Sequence, residues 1–282
     1  MTNSPTDSPT DSRFDRDTAL IPLGDGRFAG TIDPGWWIER GPNGGYIAAI
    51  VLRGLALAVE DPARTPRSLT VHYLAPPAAG PCEMHTRVER AGRRVTFVTG
   101  RLVQGDRLLA LAMGAFAVSM EGPAFADISM PESLPLDEAE LLPLMQTSSG
   151  AVSPMRARYE QRWAIGGRPF TSSPVAVVGG YIRFAEESRR PIDHLAVTAF
   201  SDAWIPSVFV RFPQPMGIPT VDLTVHFRAP LPHHTMCDDD FCLVAFRTQV
   251  AAEGFTEEDG EVWSPDGVLL AHSRQLAALI PD

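Results

Sequence analysis

Lysine is absent from this sequence: all 24 basic residues are arginine, a bias that GC-rich coding explains as readily as chemistry and that indicates no function. Cysteine is scarce, with Cys82, Cys237 and Cys242 making an odd set without a C-x-x-C pair. A disulfide framework is therefore excluded as the organising device, and a reducing cytoplasm is the expected setting. No apolar run approaches the roughly 18 residues of a membrane-spanning helix. The N-terminal stretch MTNSPTDSPTDSRFDRD has no apolar core of the kind an export signal needs. Positive charge is also short, with 24 basic against 34 acidic residues and a net charge of -10. The average field repels phosphate backbones and anionic bilayers, so neither nucleic acid nor a membrane is an expected partner.

What is present is a length of 282 residues with 44% apolar and 21% charged side chains. That is an ordinary globular composition, and the length suits two units of about 100 to 150 residues each. The repeat bears this out: SLTVHYLAP at Ser68–Pro76 returns as DLTVHFRAP at Asp222–Pro230, six identities in nine positions at an offset of 154. Downstream, GDRLLALAMGAFA at Gly105–Ala117 matches DGVLLAHSRQLAA at Asp266–Ala278 at an offset of 161. Self-similarity at a domain-sized period means duplication of one fold rather than a solenoid.

In the first copy Asn43-Gly44-Gly45 precedes YIAAIVLRGLALAVED, a helix apolar almost all round that must be enclosed. Strand-like segments follow, LTVHY, MHTRVERAG, RRVTFVTGRLVQ and RLLALAMGAFAV, punctuated by turns at Ala91-Gly92 and Gln104-Gly105-Asp106. One buried helix and an antiparallel meander make an α+β unit with the sheet curled around the helix. The second copy opens with strand-like YEQRWAIGG and VGGYIRFAEES, continues through HLAVTAFSDAWIPSVFV as a helix that Pro206 ends or bends, and closes in three strands. The expected organisation is a disordered tail over 1–17, a first unit over 18–120, a linker over 121–155 with a short helix at Asp137–Met145, and a second unit over 156–282.

A long apolar helix wrapped by a meander and duplicated in tandem resembles the double-hotdog acyl-CoA thioesterases related to bacterial thioesterase II. The pieces that match are NGGYIAAIVLRGL, LTVHYLAP, SDAWIP, TVDLTVHFRAP and DGVLLAHSRQ, in order, across residues 20 to 280. The resemblance implies a tandem double hotdog that hydrolyses acyl-CoA to a free fatty acid and CoA, without metal or cofactor, in the cytoplasm. It also implies three residues of the second copy holding the attacking water: Asp202 on the helix, Thr220 on the next strand and Gln275 on the last. The spacing departs from the family between Thr220 and Gln275, where GFTEEDGEVWS reads as an insertion.

Those residue types suit the reaction. A carboxylate can accept the water's proton, while a hydroxyl and a carboxamide orient it toward the thioester carbon. Backbone N–H groups at the helix start Gly44-Gly45-Tyr46 are the expected contacts for the substrate's developing oxyanion. Period-two alternation puts Thr220 on one strand face with Asp222, Thr224 and His226, so Asp222 and Thr224 compete with it for the hydroxyl or polar role. The repeat pairs Gln275 with Gly114 and sets Asp202 opposite Ala48, so polar groups in one copy replace small inert residues in the other.

Blander readings stand beside these. Asp202 could simply cap a helix start, Thr220 could be an ordinary strand threonine, and Gln275 a surface glutamine. His72 and His226 recur in both copies and are therefore structural. His233–Cys242 holds ligand-type residues without a standard metal spacing. Arg93 and Arg94 could meet a CoA phosphate but fit a solvated hairpin end. Alternative functions are a non-catalytic acyl-thioester binding module and a hotdog acyl-CoA hydratase or dehydratase. Two fused halves already form a pseudo-dimer, and a homodimer of such units is a further possibility.

Overall fold

A computed structural model describes residues 12–39, 41–142, 152–185, 190–234, 236 and 240–281. The first half runs through α1 (Arg13–Asp17), β1 (Ile21–Gly24), β2 (Arg27–Ile32), α2 (Gly44–Val59), β3 (Thr65–Tyr73), β4 (Gly80–Ala91), β5 (Val95–Gln104) and β6 (Arg107–Ala117). The second runs through β7 (Glu140–Leu141), β8 (Tyr159–Gly166), β9 (Ala176–Phe184), α3 (His194–Phe200), β10 (Thr220–Phe227), β11 (Cys242–Thr248), β12 (Ala251–Ala252), β13 (Phe255–Trp263) and β14 (Leu269–Ala278).

The repeated strands become neighbours. β3 and β10 pair antiparallel at the centre of one 14-stranded sheet, ordered β1-β2-β4-β5-β6-β3-β10-β14-β13-β11-β9-β8-β7, with β12 beside β13. Thr70 faces its own counterpart Thr224, while Asp222 faces His72 and Ser68 faces His226. A segment that pairs with its copy about a shared midpoint is related to it by a local twofold, as in a symmetric dimer interface. The Thr70 and Thr224 hydroxyls meet there at 3.0 Å. This is the α+β tandem double hotdog that the family resemblance implies.

The apolar sequence after Gly45 makes α2 the hub. Its start is capped by Asn43, whose Oδ1 accepts the Tyr46 N–H at 3.0 Å, satisfying a donor that a helix start leaves unpaired. Tyr46, Ile50, Leu52 and Leu55 are each at most 1% exposed, and burying side chains of this size stabilises the fold by about 1.5–3 kcal/mol apiece. Leu55 is received by glycines on the enclosing strands: a Cβ on Gly114 would lie 3.1 Å from Leu55 Cδ1 and 2.8 Å from Phe116 Cε2.

Several expectations need correction. The tail is not disordered up to Asp17: Ser12 caps α1, Phe14 is fully buried and Asp15 bonds Arg53 and Arg190. One large aromatic and a doubly paired carboxylate suffice to anchor so short a segment; residues 1–11 lie outside the described residues. The helix expected at Asp137–Met145 is not formed over its described part. Glu140–Leu141 is instead an edge strand on β8, and Leu134 N–H already donates to Ala164 O at 3.0 Å, so part of the stretch expected as a linker packs on the second half; residues 143–151 lie outside the described residues. The second helix is short. α3 closes at Ser201, and a separate 3-10 turn covers Ser207–Val210, because Pro206 has no N–H to donate and disfavours helical geometry in the residue before it. After α3 come β10, β11, β13, β14 and the minor β12 rather than three strands.

Candidate active site

Each expected water-holding residue has its own positional origin. Asp202 stands two residues beyond the end of α3, not on the helix, where the chain turns back along the start of α2. Its Oδ2 accepts the Gly45 N–H at 2.8 Å and an Asn43 Nδ2–H at 3.1 Å, and Asn43 Nδ2 also reaches the Asp202 carbonyl at 2.6 Å. Asp202 thus complements a helix N-terminus after all, but that of the other half. The approach requires the two glycines. A Cβ on Gly44 would stand 2.8 Å from Asp202 Oδ2, and one on Gly45 would stand 2.6 Å from the Ala199 carbonyl.

Thr220 and Gln275 meet directly, the Thr220 hydroxyl donating to Gln275 Oε1 at 3.0 Å. Simple alternation predicts Thr220 on the face of Asp222 and Thr224, and here the sequence reading fails. The β10–β14 register slips between Thr220 and Asp222, so Thr220 lies opposite buried Ala277 while Leu223 lies opposite Gln275. A one-residue bulge turns the side chain before it onto the inner face. The first half has the same slip between Pro66 and Ser68, which makes the bulge part of the repeated fold. Thr224 and Asp222 remain on the outer face, paired across to Thr70 and His72, and His72 and His226 are exposed there, away from Thr220 and Gln275.

Glu258 is the residue that sequence reasoning missed. The segment GFTEEDGEVWS is no inserted loop: most of it is β13, with Glu258 directly opposite Gln275. Gln275 Nε2 donates to Glu258 Oε1 at 2.8 Å, and the Ser207 N–H donates to Glu258 Oε2. Thr256, Glu258, Gly260 and Val262 alternate as buried residues along β13, a period-two signal legible once the segment is read as a strand.

Burial pushes the Asp202 carboxyl up to about 7; the Gly45 N–H opposes this, the nearby Glu258 carboxylate adds to it, and Gln275 and the Gly44 N–H pull it down. Burial also raises Glu258, against hydrogen bonds from Ser207 and Gln275. Two carboxyl groups and a carboxamide therefore interact in one poorly solvated place. The expected substrate contacts fare unevenly. Tyr46 donates its N–H to Asn43 and its hydroxyl to Asp17 O, the Gly45 N–H is taken by Asp202, and both residues are buried; only Gly44 keeps partial exposure. Helix-start donors that serve a protein carboxylate are not free for an oxyanion.

In the first half the positions matching Asp202, Thr220, Gln275 and Glu258 are Ala48, Pro66, Gly114 and Val98. All four are buried, and Leu55 and Phe116 pack close to Gly114. Among the described residues no cluster of metal-ligating side chains occurs, and no helix is long and apolar enough to cross a membrane. Of the ligand-type run at His233–Cys242, Thr235 and residues 237–239 lie outside the described residues.

A duplicated hotdog with one polar cluster at the meeting of its halves defines a class, the double-hotdog proteins. The chain matches the acyl-CoA thioesterase N-terminal domain over residues 33–119 and the acyl-CoA thioesterase C-terminal domain over residues 132–279. It belongs to the acyl-CoA thioesterase family and is a thioester hydrolase. Among solved structures it is similar to a conserved protein of unknown function with a hot dog fold from Alicyclobacillus acidocaldarius, at 28% identity and a TM-score of 0.85 over 96% of this chain and 99% of that one. It is also similar to a candidate thioesterase II from Thermobifida fusca, at 26% identity and a TM-score of 0.79 over 95% and 97% of the two chains. An acyl-CoA thioesterase II from Mycobacterium marinum, 16% identical with a TM-score of 0.76 over 95% and 98%, shares the fold. A search of curated proteins found no match.

Proposed function

We propose that this chain hydrolyses acyl-CoA through one water activated by Asp202 and oriented by Thr220 and Gln275. The observation that supports the reading is the asymmetry of the duplication: Asp202 bonds the start of α2 and feels the Gln275 carboxamide, Gln275 bonds Thr220, and the counterparts of the three in the first half are Ala48, Pro66 and Gly114. Asp202 takes the water's proton as the water oxygen bonds to the thioester carbon. Collapse of the tetrahedral species breaks the C–S bond, and the same proton passes to the departing sulfur, leaving a carboxylic acid and the CoA thiol. A carboxyl raised to about 7 by burial is well matched to this exchange, since a general base works best with a pKa near the operating pH.

The Gly44–Gly45 turn serves the reaction in two ways on this reading. Its N–H groups hold the carboxylate in place, and the missing side chains at Gly44 let an extended acyl thioester approach Asp202. Thiol release from a panel of acyl-CoAs, measured on wild type and on Asp202→Asn, tests the reading. A loss of about 100-fold or more in kcat is expected for the removal of a general base. Equal rates would remove Asp202 from the chemistry, and tight acyl-CoA binding with no release from any of the panel would favour a binding module.

A further inference from the structure

We infer that Glu258 is a positioning residue for hydrolysis, clamping the Gln275 carboxamide in one of its two orientations and thereby setting the direction of every hydrogen bond that reaches the water. This deepens, and rests on, the assignment of Asp202, Thr220 and Gln275 above.

A carboxamide turned by 180° exchanges its donor and acceptor ends with little change in shape, and a threonine hydroxyl can donate or accept. Thr220 alone therefore leaves the orientation of Gln275 open. Glu258 closes it. Oε2 is committed to the Ser207 N–H, a donor that cannot reverse, and Oε1 faces Gln275 at 2.8 Å. In that contact Gln275 Nε2 is the donor, so the Gln275 NH2 points to Glu258 and its Oε1 to Thr220. Thr220 must then donate, as the 3.0 Å contact has it, which leaves the hydroxyl oxygen free to accept one hydrogen of the water while Asp202 accepts the other. The water's lone pair is turned outward to the thioester carbon. Glu258 is only 7% exposed, and burying a carboxyl here rather than the valine of the matching position in the first half, Val98, is costly unless it serves the site. The charged or titratable groups acting on it are Asp202 beyond α3 and Glu257 on its own strand.

Glu258→Gln tests the inference with the full chain. Its oxygen is claimed by the Ser207 N–H, so its NH2 faces Gln275 and turns that amide over. Thr220 then has to accept, and the water loses its partner. We expect kcat to fall on the order of 10- to 100-fold, as for a small misplacement of a reacting group, with KM within about twofold. The acid limb of the rate profile should also move to lower pH, since the Glu258 charge that raises Asp202 outweighs the Gln275 hydrogen bond that lowers it. In a Gln275→Ala background the same substitution should have little further effect, because the clamp has nothing left to hold. Glu258→Met, neutral and of similar length, provides a second variant should the first fold poorly. Wild-type kcat in either folded variant overturns the inference, as does an unchanged acid limb or full additivity with Gln275→Ala. Asp202→Asn run alongside separates the two readings: if it is inactive while Glu258→Gln matches wild type, only the clamp fails. If Asp202→Asn is fully active, the water-activation scheme fails with it.

Discussion

Replacing Asp202 by asparagine should cost the enzyme its activity and make the protein more stable, and the gain should depend on pH. Burial raises this carboxyl to about 7 in the folded chain, against about 3.9 for an unfolded aspartate. The folded state therefore binds the proton more tightly than the unfolded one. Stability from this source is complete below the unfolded value and is lost as pH rises through the folded value, opposite in sign to the usual ion-paired carboxylate. At about 1.4 kcal/mol per pH unit the loss approaches 4 kcal/mol at pH 8, an upper figure. Asparagine is neutral throughout, and its carbonyl oxygen can still accept from Gly45 and Asn43, which both bond the same oxygen of Asp202. Urea unfolding should show the variant more stable than wild type by about 1–3 kcal/mol at pH 8, with the difference falling to roughly a third of that at pH 5. A variant less stable at pH 8, or a difference of the same size at both pH values, would refute the claim that the folded chain strains this carboxylate. The wild-type hydrolysis rate should, for the same reason, rise about tenfold between pH 6 and pH 8, as followed by thiol release.

Gly45→Ala forces a Cβ to within 2.6 Å of the Ala199 carbonyl, and overpacking against backbone should cost about 1–3 kcal/mol and lower kcat by displacing Asp202; thermal melts with thiol release measure both. Thr220→Ser should keep most of the activity and Thr220→Val should lose roughly 10-fold or more, since only the hydroxyl is used; equal losses would point to shape rather than hydrogen bonding. Arg190, 4% exposed, joins Asp15 and Asp193 at 2.9 Å each, so Arg190→Ala should destabilise the chain by about 3–5 kcal/mol in calorimetry. Although burial alone would raise Asp15, its bonds to Arg190, Ser12 and Arg53 hold it below the ordinary value. Its share of stability is therefore present above the unfolded pKa and lost as acid protonates it, and Asp15→Asn should flatten the acid side of the stability curve.

The fold was legible because two independent periodicities agree in the sequence. The 154-residue offset between SLTVHYLAP and DLTVHFRAP marked the duplication, and those very segments pair at the centre of the sheet. The stretch after Gly45, apolar almost all round and interrupted chiefly by Arg53 and Gly54, had to be an enclosed helix. What failed was local. Alternation carried back through Val221 put Thr220 on the wrong face, because strict alternation assumes an unbroken ladder and the register slips between Thr220 and Asp222. Glu258 stayed hidden since a strand with four acidic residues looks like a solvated loop, and only its partner Gln275 explains why one of them faces inward. Phe14 and Asp15 were read with a polar tail because their partners, Phe184 and Arg190, lie in the other half.

The same bulge bears on why duplication left a single cluster. Both halves slip register at the equivalent place, between Pro66 and Ser68 and between Thr220 and Asp222, so each turns the residue before the slip toward its helix layer. The geometry that could present a hydroxyl is therefore inherited twice, and composition alone decides whether it does. In the first half the bulge presents Pro66, while Leu55 packs close to Gly114, so the space opposite is filled by core. In the second half α3 ends after Phe200 instead of continuing like α2, and that early stop releases Asp202 to fold back onto Gly45. The long helix of one copy thus supplies the donors and the broken helix of the other supplies the acceptor. Neither copy holds both, and a separated second half, lacking Asn43 and Gly45, would leave its carboxylate without the hydrogen bonds that fix it.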